Sequence, residues 1–135
     1  DPVCIGTIIA EMAAFEEDLR AVVGPLRDAA GPGTPIVLGT YDNPVPFCEL
    51  APVPGAIELG AILLEGLESN EPPLVLDGIH DVIRRVAADY ENVDVAEVFG
   101  QLTSPDDWVG GADCLHPLAP GHDKVTDSFV DLFTD

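Results

Sequence analysis

The stretch "DGIHDVIRRVAADYENVDVAEVF", residues 77–99, decides the fold. Its first part, taken with Val75 and Leu76, places Ile79, Val82, Ile83, Val86 and Tyr90 at three- and four-residue steps. That spacing predicts a helix over 75–90 with one apolar face. On the same reading His80 falls on the polar side and is solvated. The second part, residues 92–99, alternates and is rich in valine, which predicts a strand. A helix feeding directly into a strand is the repeating unit of an α/β fold.

Working outward, "PIVLGTY" (35–41) is a short apolar run between proline and polar turn residues and reads as a buried strand. The prolines of "DNPVPF" (42–47) then force an irregular turn. Upstream, residues 7–30 read as an amphipathic helix, with Ile8, Met12, Phe15, Leu19, Val22 and Leu26 as its apolar side and Gly31-Pro32-Gly33 as its stop. Residues 49–73 carry helical spacing interrupted by glycines, which predicts a weak helix closed by "EPP". Residues 100–117 form a long polar loop, and Pro120 opens a last helix whose buried side is Val125, Phe129, Leu132 and Phe133. Helix, strand, helices, strand, helix implies parallel strands with helical crossovers. Two strands cannot cover so many apolar helix faces, so further strands are expected upstream or on another chain. The start at Asp1 accordingly reads as processed, excised or truncated.

The chain has 135 residues, the size of one domain, and 47% of them are hydrophobic, which calls for a buried core. It carries 25 acidic against 5 basic side chains, a net charge of −20. Nucleic-acid phosphates and anionic membrane surfaces would both be repelled. No apolar run reaches the roughly 18 residues needed to span a bilayer. Cys4, Cys48 and Cys114 make one pair plus a leftover thiol the simplest oxidised arrangement. Cys48 follows the first strand and Cys114 lies in the loop after the second. Both belong at the same end of a parallel sheet, so a Cys48–Cys114 disulfide is expected, in keeping with a secreted or extracytoplasmic protein.

Chemistry concentrates in "DCLHPLAPGH", residues 113–122. Asp113 and His116 sit three residues apart, and Pro117 keeps His116 extended. An acid that orients a histidine base is what a serine nucleophile requires. The loop follows a strand, where open α/β sheets bind ligands. Other readings use the same residues. The pair could be a structural loop contact. Asp113, Cys114, His116 and His122 are all possible metal ligands, but their spacing matches no usual zinc site, so no metal or cofactor is assigned. Cys114 and His116 lie two apart in extended backbone and point to opposite sides, against a thiol nucleophile. Asp106-Asp107 lacks a calcium-loop context and reads as solvated surface. His122 caps or packs the last helix.

Together these residues resemble the last conserved block of the SGNH, or GDSL-type, hydrolases: D-x-x-H-P, a Gly-His pair and a terminal helix. "PIVLGTYDNP" is similar to that family's fourth strand and following turn, and residues 77–99 resemble its helix and strand before the last block. The resemblance implies a three-layer αβα, flavodoxin-like parallel sheet. Residues 1–135 would be the C-terminal part of a single domain lacking its N-terminal strands. It implies a carboxylic ester hydrolase, an esterase or lipase, with a Ser-His-Asp triad in which His116 is the general base and Asp113 orients it. The substrate would be a small-molecule or lipid ester. The serines present, Ser69, Ser104 and Ser128, lie outside any G-D-S or G-x-S-x-G context. The nucleophile and oxyanion hole are therefore expected from a missing N-terminal half or a partner chain. The alternative is a non-catalytic acidic domain, or a remnant, that associates with another chain through an open sheet edge.

Overall fold

The element order is α1 (Pro2–Ala30), β1 (Ile36–Gly39), α2 (Ala56–Glu65), β2 (Leu67–Asn70), β3 (Pro73–Leu76), α3 (Ile79–Ala88), β4 (Val93–Ala96) and α4 (Ala119–Val130). Short 3₁₀ turns occupy Val45–Phe47, Pro105–Asp107 and Asp131–Phe133. This computed structural model describes residues 2–49, 51–70, 73–110 and 114–134. The chain is a mixed α/β fold in which β1 and β4 form a parallel two-stranded sheet. Its residues divide into two compact units, 1–38 with 65–95 and 39–64 with 96–135.

In the first unit, Val23, Ile36, Val82, Val86, Ala87 and Val93 form a buried cluster, with Met12, Phe15, Leu19, Leu38, Tyr90 and Val95 packed against it. Each fully buried valine contributes about 1.5–3 kcal/mol relative to exposure. The buried side of α1 follows the expected one at Met12, Phe15 and Leu19 and departs from it towards the end of the helix. Val23 faces the core, whereas Val22 is 63% and Leu26 47% exposed. The stripe runs on through Arg27, which is buried because its guanidinium has a role at the helix end. It donates to the carbonyls of Gly31, Thr34, Glu91 and Asn92, and so ties the turn after α1 to the turn after α3. Asn92 adopts a left-handed conformation (φ 58°) between α3 and β4, and its carbonyl accepts from the Ile36 amide at 3.1 Å.

The expected helix over 75–90 is shorter than its apolar pattern suggested. Val75 and Leu76 belong to β3, which pairs antiparallel with β2 in the register Leu67↔Leu76 and Glu68↔Val75. The weak helix over 49–73 likewise stops at Glu65. Gly66 explains the stop. Its φ is +75°, and a Cβ there would lie 2.3 Å from the Leu76 carbonyl oxygen, so only glycine permits the chain to turn into the hairpin. Helix α3 opens on Gly78, whose amide donates to the Asp81 carboxylate at 3.0 Å. His80 overturns the solvated assignment: it is fully buried. Its Nδ1 is paired with the Glu65 carboxylate, which also accepts from Arg84. His80 stands one helical turn before Ile83 and two before Ala87, so the core-facing stripe includes it despite its polarity.

In the second unit, Val98, Leu102 and Trp108 are buried, with Phe47, Val125 and Phe129 packed against them. The Phe47 and Trp108 rings stack with centroids 6.1 Å apart, and Tyr41 meets the Trp108 edge at 5.9 Å. The Trp108 indole N–H donates to the Leu102 carbonyl at 3.0 Å.

Candidate site on the loop before the last helix

Three buried polar side chains follow β1 and fix the backbone beyond the parallel strands. The Thr40 hydroxyl accepts from the Val98 amide at 2.8 Å and from Phe99 at 3.2 Å. The Asp42 carboxylate accepts from the Leu102 amide at 2.7 Å and from Asn43 at 2.8 Å. The Asn43 side chain donates to the Ile57 carbonyl and accepts from the Val45 amide. Buried groups of this kind need hydrogen-bond partners, and here each of their side-chain nitrogen and oxygen atoms has one. Together they tie the segment after β1 to the segment after β4.

Upon this frame sits the loop carrying His116. Trp108 and Pro117 form an antiparallel bridge. The Val109 amide donates to the His116 carbonyl at 2.9 Å, and the Leu118 amide to the Asp107 carbonyl at 2.7 Å. Cys114 is joined to Cys48 by a disulfide, with α-carbons 5.1 Å apart, so the loop is covalently attached to the turn after β1. The Tyr41 hydroxyl donates to the Leu115 carbonyl. His116 itself is exposed. The Asp113 expected to orient it lies outside the described residues.

The start of α4 is seated against the same loop. A Cβ on Gly121 would lie 2.4 Å from the Asp107 carbonyl oxygen, so the glycine of the Gly-His pair allows the helix to approach the backbone. His122 is exposed on the first turn of α4. Its structural contribution is through the backbone, its amide donating to Leu118 at 2.9 Å.

Asp107 departs furthest from expectation. Read as solvated surface, it is 1% exposed. Its carboxylate accepts from the Lys124 ammonium at 2.7 Å and from the Ser104 amide at 2.9 Å. The Lys124 bond, then the Ser104 bond, hold its pKa below the usual carboxylate value. Tyr41 shifts the other way: burial first, and the nearby Asp42 charge second, raise its phenol pKa, so it remains a donor at neutral pH.

Among the described residues no group of three or more His, Cys, Asp or Glu side chains could hold a metal ion, and no helix is long and apolar enough to cross a membrane. Compared with known proteins, the chain matches no family model, no curated protein and no solved structure. Thr40, Asp42, Tyr41 and Asp107 were not singled out from sequence as parts of the site. The signal for the first three was the polar run "TYDNP" at the carboxyl end of a strand, where α/β folds build their sites.

Proposed function

We propose that this protein contributes the histidine and acid of a carboxylic ester hydrolase of the SGNH type, within a three-layer αβα, flavodoxin-like domain. The observation that carries the reading is an exposed histidine, in a D-x-x-H-P sequence, on a loop pinned beyond the end of a parallel strand and followed at once by a Gly-His helix start. His116 takes the proton of a serine hydroxyl supplied from outside residues 1–135 as that oxygen attacks the ester carbonyl. The same proton then goes to the departing alcohol, leaving an acyl-serine. Water then attacks the acyl-serine, losing a proton to His116, and His116 passes that proton to the serine oxygen as the carboxylic acid is released. Asp113 orients the imidazole and stabilises its charged form. The net charge of −20 favours neutral or cationic esters, small-molecule or lipid, over polyanionic ones. The disulfide accords with an extracytoplasmic setting.

The test is active-site labelling with a fluorophosphonate, which reacts with activated serines. Residues 1–135 alone should remain unlabelled. The protein produced with the residues encoded upstream of Asp1, or with its partner chain, should be labelled on a serine outside this stretch, and His116→Ala should abolish the labelling. Absence of labelling there would turn the reading towards a non-catalytic acidic domain, and labelling that survives His116→Ala would show that a group other than His116 activates the serine.

A further inference from the structure

The two residues between Asp113 and His116 are both anchored to the segment that follows β1. Cys114 is bonded to Cys48, and the Leu115 carbonyl accepts from the Tyr41 hydroxyl. The second anchor bears directly on His116. A residue's backbone direction is set by the two rigid peptide planes that meet at its α-carbon. The plane entering His116 contains the Leu115 carbonyl, which Tyr41 holds. The plane leaving it contains the His116 carbonyl, which the Val109 amide holds at 2.9 Å. Pro117 narrows the remaining freedom. The disulfide cannot replace the Tyr41 bond. It fixes Cys114, but leaves rotation about the bonds between Cys114 and His116. Tyr41 in turn packs with its ring edge-on to the buried Trp108 at 5.9 Å.

From this geometry we infer that Tyr41 is a positioning residue for His116, aiming the imidazole by fixing the peptide plane that precedes it. The inference deepens the hydrolase reading and, as a statement about catalysis, rests on it. As a statement about the direction of His116 it stands separately. A base must be held within a fraction of an ångström of the proton it takes, and misplacement by about 1 Å can cost a hundredfold in rate. Tyr41 is thus a specific, removable contribution to catalysis by a group that never touches the ester.

Tyr41→Phe removes the hydroxyl and keeps the ring against Trp108. The first measurement needs no activity. In the NMR spectrum of the protein, the His116 ring resonances should shift and broaden in Tyr41→Phe, while the Trp108 indole resonance and the unfolding midpoint stay close to those of the parent. Unchanged His116 resonances would overturn the proposal. The second measurement uses the hydrolytically competent protein. There Tyr41→Phe should lower kcat by roughly ten- to a hundredfold with little change in KM. It should cause no further loss in a His116→Ala background, because it acts through His116. A full additional loss in that background, or an unchanged kcat in Tyr41→Phe, would also overturn it. If His116→Ala left hydrolysis intact, the hydrolase reading would fall by itself, and the NMR result would still decide whether Tyr41 directs His116.

Discussion

Breaking the Cys48–Cys114 bond should loosen the second unit by an amount that follows from its place in the chain. The cysteines are 66 residues apart in sequence. A crosslink closing a loop of that length lowers the entropy of the unfolded chain by about 15 cal/mol/K, or about 4 kcal/mol at 25 °C. The cost of its removal is an upper figure, since a denatured chain with residual structure has less freedom to regain. Cys48→Ala/Cys114→Ala is the preferred variant, because both sites are buried and serine hydroxyls would be desolvated there. The wild-type protein in a reductant provides a control that keeps the sulfur volume. Urea unfolding followed by fluorescence of Trp108, the single tryptophan and 1% exposed, reports on the unit that holds the crosslink. Both samples should lose about 2–4 kcal/mol. A loss below about 1 kcal/mol in both would mean that this crosslink does not restrain the unfolded chain, and the reasoning would fail.

Three further outcomes are expected. Gly121→Ala should destabilise by about 1–3 kcal/mol, because the clash with the Asp107 carbonyl outweighs the roughly 1 kcal/mol that alanine adds to a helix; thermal unfolding would detect it. The depressed Asp107 pKa should contribute stability that is present above the ordinary carboxylate value, about 3.9, and is lost as pH falls through the lower folded value; Asp107→Asn should flatten that part of the stability–pH curve. Salt should raise the unfolding midpoint between about 0.1 and 1 M NaCl, since each of the five basic side chains already has a partner and the net charge of −20 is otherwise self-repelling. A midpoint that falls over this range would show that the ion pairs matter more than the repulsion.

The parallel strands were legible because 35–41 is a short apolar run and 92–99 alternates about its valines. The hairpin of β2 and β3 was not. "LESN" lacks the alternation of a strand, and Val75 and Leu76 extend the apolar period of α3, so pattern alone merges them with the helix. Gly66 was the overlooked boundary. On α1 the three- and four-residue steps fit two adjacent stripes, and the choice between Val22 and Val23 depended on Arg27 turning inwards to bind carbonyls distant in sequence. His80 and Asp107 were misplaced for a common reason. Residue type suggested solvent, whereas a partner supplied by the fold, Glu65 in one case and Lys124 in the other, makes burial tolerable. In the loop, His116 and both cysteines were visible as chemistry in the sequence. Tyr41 was not, because its role is to hold one carbonyl 74 residues away, and no local pattern encodes that.

The most direct measurement of the central claim is kcat/KM for ester hydrolysis by the protein produced together with the serine-bearing segment proposed above, compared with His116→Ala. If His116 is the base, His116→Ala should lower kcat/KM by several orders of magnitude, with the unfolding midpoint nearly unchanged. A His116→Ala protein that keeps its rate would refute that role, because some other group would then be taking the proton.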